Sequence, residues 1–85
     1  MPWIVYMLEC ADATLYTGIT NDMERRLGQH MNGTGAKYTR GRGPFTILYT
    51  EPHPTKSAAL KREAEIKALS REQKLKLAES AVTQK

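Results

Sequence analysis

Five side chains in this sequence stand where a small fold would ordinarily place something less reactive: Tyr6, Tyr16, Arg26, His30 and Glu63. Arginine offers a planar, permanently charged fork, histidine and tyrosine can hold or move a proton, and glutamate can ligate a hard cation. Whether they can act together depends on the faces they share. Residues 22–31 read as an amphipathic helix. With Met23 as origin, Leu27, His30 and Arg26 fall at about 40°, 340° and 300°, bordering the apolar stripe, while Arg25 falls at about 200° and points away. Taken singly, Arg26 is a side chain snorkelling at the core's rim and His30 a hydrogen-bonded interfacial histidine. Together, above a strand end, they form the beginnings of a phosphate site.

The second helix carries a sharper anomaly. With Ala59 as origin, Glu63 falls at about 40°, between Ile66 at about 340° and Leu60 at about 100°, whereas Glu65 at about 240° is on the outer face. An inward glutamate is costly unless paired or metal-bound. Two readings stand: an i,i+4 pair with Lys67, worth only about 0.2–0.5 kcal/mol on an open helix, or a metal ligand. The tyrosines add a constraint. For Tyr6 and Tyr16 to share a face of an antiparallel hairpin, paired residues must sum to an even number, which requires an odd loop or a bulge. Gly18 then lies beyond Tyr16, where a missing side chain lets a backbone or a phosphate come close.

These residues need elements to hold them. WIVYMLEC (3–10) is apolar on both alternating faces and reads as a central strand covered on both sides. ADAT turns the chain, and LYTGIT (15–20) returns as a second strand. Asn21, with Glu24 three residues on, has capping-box spacing and opens the first helix near Asp22; this helix runs to about Met31 and stops in NGTG (32–35). FTILYTE (45–51) is a third strand, and a second helix covers about Ser57 to Leu69. Ser70 with Gln73 starts a third helix, reaching about residue 82 with a weaker stripe of Leu75, Ala78 and Val82, before AVTQK frays. The expected fold is α+β, a small three-stranded sheet flanked by helices in the order β-β-α-β-α-α. Residues 1–85 form one domain, with its motif core at about 3–69.

Eighty-five residues bury a thin core. The single Cys10 excludes an internal disulfide and a cysteine-rich zinc site, and its apolar strand makes it a small buried hydrophobe. With no membrane-spanning run and no basic signal-like N-terminus, a cytoplasmic location is expected. The formal charge is +4, unevenly spread: residues 1–51 carry five basic and five acidic side chains, residues 52–85 eight and four. Five basic residues and no acidic one lie between Arg25 and Arg42. Within that block KYTRGR places Lys37, Tyr38, Arg40 and Arg42 together, a mixture suited to phosphate contacts and base stacking, or else an ordinary solvated loop.

At these residues the sequence resembles a GIY-YIG nuclease domain, and within that superfamily the small stand-alone bacterial group. Ile4-Val5-Tyr6 is similar to the first motif and Tyr16-Thr17-Gly18 to the second; ERRLGQH (24–30) and ALKREAEIK (59–67) are similar to the arginine and metal-glutamate helices. The resemblance implies that Tyr6 and Tyr16 are the motif tyrosines, with Tyr16 activating the attacking water. Gly18 is the motif glycine, Arg26 the catalytic arginine, His30 a group near the phosphate, and Glu63 the metal ligand. Relatives cleave DNA in excision repair, branched-DNA resolution, restriction and intron homing. The sequence departs at Ile4, where the motif has glycine, and at Ile19, where excision-repair relatives have lysine; no asparagine follows Glu63 as a polar partner.

The expected function is therefore metal-dependent hydrolysis of DNA phosphodiesters, structure-selective and linked to repair or recombination. Glu63 would hold one Mg²⁺ or Mn²⁺ ion, Arg26 would clamp the phosphate, and Tyr16 would orient or deprotonate water. A base role for His30 stays open. Gly18, Lys37, Tyr38, Arg40, Arg42 and Lys67 would contact the nucleic acid, branched or single-stranded. The competing readings are a non-catalytic DNA- or RNA-binding module and an adaptor docking to a repair protein. Metal binding at Glu63 separates the enzyme from both.

Overall fold

The computed structural model describes residues 2–83, the last three in backbone alone. Its elements are β1 (Trp3–Glu9), β2 (Leu15–Thr20), α1 (Met23–Met31), a 3-10 turn (Lys37–Thr39), β3 (Thr46–His53), α2 (Lys56–Lys67) and α3 (Arg71–Thr83). This is the α+β arrangement expected from the sequence, with one short turn added in the basic loop. The sheet is antiparallel in the order β2-β1-β3, so β1 is central. Its unbroken apolar run is what a strand covered on both faces requires. Val5, Tyr6, Met7 and Leu8 are all buried. Tyr6 and Leu8 pack with Phe45 against Met23 and Leu27 of α1, while Val5 packs on the opposite face with Ala59 and Ile66 of α2 and Leu77 of α3.

The hairpin has the expected parity. Tyr6 pairs with Gly18 and Leu8 with Tyr16. Its turn is the odd, three-residue kind: Cys10 N–H donates to the Thr14 carbonyl at 2.9 Å, leaving residues 11–13 outside, with Ala13 at φ 67°. Cys10 is buried and free.

Several boundaries differ from expectation. The cap of α1 is Asp22, whose side chain accepts from Arg25 N–H, and not Asn21. Aspartate and asparagine cap equally well. The choice falls to Thr20, whose hydroxyl accepts from Asp22 N–H at 3.0 Å and donates to the Asp22 carbonyl at 3.1 Å. Strand β3 runs past Glu51 through Pro52, which an edge strand tolerates because its missing N–H interrupts no ladder. Helix α2 starts at Lys56 behind a Thr55 cap and stops at Lys67. The chain must turn there because the Ser70–Gln73 capping box, formed as expected, opens α3 at Arg71. Arg71 Nη1 donates to the Ala13 carbonyl and fastens the start of α3 to the hairpin turn. The expected fraying of 81–85 is not seen at 81–83, where α3 continues to Thr83; residues 84–85 and the Val82 side chain lie outside what is described. Among the described residues, no helix is long and apolar enough to cross a membrane.

Candidate active site

Strand β1 delivers Tyr6, its edge neighbour β2 delivers Tyr16 and Gly18, and α1 delivers Arg26 and His30. The two adjacent arginines face as the helical register expects: Arg25 is exposed, whereas Arg26 is half-buried and donates its Nε–H to the Tyr6 hydroxyl at 3.3 Å. Arg26 Nη1 also donates to Gln29 Oε1 at 3.0 Å. Gln29 is not among the residues the sequence singles out, although its i,i+3 spacing from Arg26 is a signal for the contact.

His30 is fully buried and uses both ring nitrogens: Nε2 lies 2.7 Å from the Tyr6 hydroxyl and Nδ1 2.8 Å from Thr39 Oγ1. The direction of these bonds follows from proton counting. Thr39 gives its single hydroxyl proton to the Ala36 carbonyl at 2.8 Å, so it accepts from His30 Nδ1–H. A neutral His30 then accepts at Nε2 from Tyr6 O–H, and the Tyr6 oxygen accepts from Arg26. Burial, aided by the Arg26 charge, pushes the His30 pKa down, as this neutral state requires. Burial likewise pushes Tyr6 up to about 12, against the opposing effect of its Arg26 hydrogen bond. The order Arg26→Tyr6→His30→Thr39→Ala36 is a continuous, directed hydrogen-bond chain.

Tyr16 stands beside this chain, half-buried, with its ring centroid 5.3 Å from His30 and 6.2 Å from Tyr6. The Tyr6 hydrogen bond, and to a smaller degree the proximity of Tyr16, pushes the Arg26 pKa up, against the opposing effect of burial. The Tyr6 proton goes to His30 and not to Tyr16. Gly18 also has a definite cause. A Cβ there would lie 2.7 Å from the Tyr6 hydroxyl and 3.0 Å from a Tyr16 ring carbon, so what approaches Gly18 is the Tyr6 side chain. Gly35 is equivalent on the loop side, where a Cβ would lie 2.6 Å from His30 Nδ1. Neither Gly35 nor Thr39 was legible as a site residue.

The basic loop divides. Tyr38 stacks on Tyr16 at 5.9 Å, and the Arg42 guanidinium covers the Tyr38 ring at 4.5 Å. Arg42 also donates to the Tyr38 carbonyl at 2.7 Å and pairs with Asp12. Both side chains thus brace the loop over Tyr16. Lys37 and Arg40 are exposed, and among the described residues neither has an acidic partner within 4.0 Å.

Glu63 is inward-facing as expected, with 17% of its side chain exposed against 54% for Glu65. Its charge contributes to the rise in the Tyr6 pKa, which puts it within electrostatic reach of the cluster. The Lys67 pair is present at 3.3 Å from Oε2, but Lys67 is 53% exposed, and a pair so wetted is worth about 0.5 kcal/mol at most. Glu63 can leave it cheaply. No group of three His, Cys, Asp or Glu side chains gathers among the described residues. One carboxylate without nitrogen or sulfur partners suits a hard ion that keeps most of its waters, such as Mg²⁺ or Mn²⁺, and does not suit zinc.

Comparisons with known proteins agree with this geometry. The family model described as the GIY-YIG catalytic domain matches residues 2–76. The chain is 58% identical over 73 residues to a UPF0213 protein of Natronomonas pharaonis, covering 86% of each. It is 56% identical over 75 residues to a UPF0213 protein of Oceanobacillus iheyensis, covering 88% of this chain and 87% of that one. Among solved structures it is similar to the solution NMR structure of a UPF0213 protein from Bacillus halodurans (TM-score 0.60, 49% identity, 93% of this chain and 84% of that one). A second NMR structure, of an E. faecalis protein, matches with TM-score 0.68 at 40% identity over 98% of this chain and 88% of that one. With the fold, the tyrosine–arginine–histidine cluster and the family match in agreement, the chain belongs to the GIY-YIG family.

Proposed function

We propose that this protein is an endonuclease that hydrolyses DNA phosphodiester bonds with one bound divalent ion, acting on branched or single-stranded DNA in repair or recombination in the cytoplasm. The observation that carries the reading is the state of Arg26. Its guanidinium is half-buried and fixed by the neutral Tyr6 and Gln29, and no carboxylate lies within 4.0 Å of it among the described residues. A permanent charge held in place without a counter-ion is an anion site, and the planar fork matches phosphate.

Arg26 clamps the scissile phosphate and offsets the charge that builds on its oxygens in the transition state. Tyr6 and His30 are too buried to meet a water molecule. They act as positioning residues, aiming the Arg26 fork through the Tyr6 hydroxyl. Tyr16, half-buried beside Arg26, orients the attacking water and serves as the group that takes up its proton. Glu63 would hold the Mg²⁺ or Mn²⁺ ion, whose chemistry there is stabilisation of the leaving oxygen. Lys37 and Arg40 hold the backbone of the substrate without reading its sequence.

The test compares alanine variants at the two adjacent arginines in a DNA cleavage assay with Mg²⁺ or Mn²⁺. Arg26→Ala should lower the rate by about a hundredfold or more, the scale of losing one transition-state donor. Arg25→Ala should change it by less than about threefold, the size of a single exposed charge contact. Equal losses would refute the assignment. DNA binding with no cleavage by the parent protein would favour a non-catalytic module.

A further inference from the structure

Two clefts flank Gly18 along the edge strand β2. One, of about 230 Å³, lies at the end of the strand beside Ile19 and Thr20 and is walled by Arg26 and Arg25. The other, of about 260 Å³, lies beside the start of the strand and is lined by Leu15, Tyr16, Thr17, Tyr38, Lys67 and Lys74. Arg26 and Tyr16, one from each cleft, are the two groups that face the scissile phosphate in the reading above.

The second cleft contains charge and polarity that the fold does not use. Lys74 of α3 is half-buried, and among the described residues no carboxylate lies within 4.0 Å of it, whereas Lys67 and Lys76 are paired with Glu63 and Glu72. A lysine can be half-buried merely by laying its stem on apolar surface. That does not explain the second observation. Thr17, 3% exposed and lining the same cleft, has the one buried side-chain polar atom without a hydrogen-bond partner among the described residues. A buried hydroxyl without a partner is destabilising, because folding strips it of water and returns no hydrogen bond. An unpaired ammonium lining the cleft and an unsatisfied hydroxyl on a residue of its wall are together the kind of donors an oxyanion needs. The placement is set from a distance: Arg71 fastens the start of α3 to the Ala13 carbonyl, and Lys74, one turn later, lines the same cleft as Leu15 and Tyr16.

We propose that this cleft is a second phosphate subsite. It grips the phosphodiester next to the scissile one through Lys74, with Lys67 and the Thr17 hydroxyl assisting, so that the cut strand runs along β2 from one cleft to the other. The proposal rests on the nuclease reading for the identity of its ligand. It adds α3, which carries no motif residue, to the substrate-binding surface.

The test measures binding of the full chain to single-stranded oligothymidylate without divalent metal, from about 50 to 200 mM salt, with cleavage in Mg²⁺ or Mn²⁺ read in parallel. A phosphate contact made by Lys74 predicts that Lys74→Ala weakens binding and reduces the slope of log K against log salt by about 0.7. Lys74→Arg should restore the slope, and Lys76→Ala should leave it at the parent value. An unchanged slope in Lys74→Ala, or no salt-dependent binding by the parent, overturns the subsite. If the slope falls but the parent cleaves nothing, the subsite stands and the nuclease reading fails; cleavage with an unchanged slope means the reverse. Tight binding of inorganic phosphate alone, seen as NMR shifts at Thr17 and Lys74, would identify a free anion as the ligand and overturn the proposal.

Discussion

Replacing Tyr6 by phenylalanine removes one oxygen and leaves the ring, so its consequences can be followed atom by atom. That oxygen accepts from Arg26 Nε at 3.3 Å and donates to His30 Nε2 at 2.7 Å. Arg26 is half-exposed and would find water. His30 is 1% exposed and would not. Changing tautomer offers no escape, because Thr39 has committed its proton to Ala36 and needs the proton on His30 Nδ1. A buried acceptor left unpaired costs about 1–3 kcal/mol. In a domain of this size each kcal/mol lowers the melting temperature by about 4–8 °C. The midpoint expectation, about 2 kcal/mol, is therefore a fall of about 8–16 °C. Thermal unfolding followed by circular dichroism at pH 7.5 would read it, with Arg26→Ala as the comparison. Arg26→Ala keeps the Tyr6–His30 bond and should destabilise less, yet lose more cleavage. A melting temperature within about 2 °C of the parent for Tyr6→Phe would refute the directed hydrogen-bond chain, since such a change is well under 1 kcal/mol.

Three further outcomes follow from the same contacts. Gly18→Ala should destabilise by about 1–3 kcal/mol through overpacking, because the new Cβ would lie 2.7 Å from a hydroxyl that has nowhere to move, and urea unfolding would measure it. The depressed His30 pKa means that the unfolded chain binds the proton more readily than the folded one. Stability from this group is complete above the unfolded value near ~6.5 and falls as pH drops below it, by up to about 1.4 kcal/mol per pH unit, a dependence that His30→Gln should remove. Ala13→Gly should stabilise by up to about 1 kcal/mol in the same urea assay, since φ 67° is the left-handed region that glycine enters without steric cost.

The contrast between residues found and residues missed has a physical basis. The strand order and the shared face of Tyr6 and Tyr16 were legible because side-chain alternation in a strand and the parity of a hairpin are local rules. Arg26 could be separated from Arg25, and Glu63 from Glu65, because one residue of helix rotates a side chain by about 100°. The loop from Asn32 to Pro44 obeys no such period. Its closing contacts, Thr39 on His30, Tyr38 on Tyr16 and Arg42 on Asp12, join residues far apart in the chain, and nothing in KYTRGR marks two of its side chains as braces. The cap at Asp22 was missed by one position because asparagine and aspartate are near-equivalent there, and a threonine on the preceding strand decided between them. Lys74 was invisible for a third reason: the angle at which α3 returns to the sheet depends on Arg71 reaching the hairpin turn.

If Glu63 serves a divalent ion in phosphodiester hydrolysis while the rest of the surface binds the DNA, cleavage and binding should separate at this one residue. The most direct measurement is cleavage of labelled branched and single-stranded DNA in Mg²⁺ or Mn²⁺ by the parent and by Glu63→Ala, with binding of both proteins to the same DNA measured alongside. Cleavage by the parent that vanishes in Glu63→Ala, with binding unchanged within about threefold, a difference of well under 1 kcal/mol, is the predicted result. Undiminished cleavage by Glu63→Ala, or binding without cleavage by the parent in either metal, would contradict it.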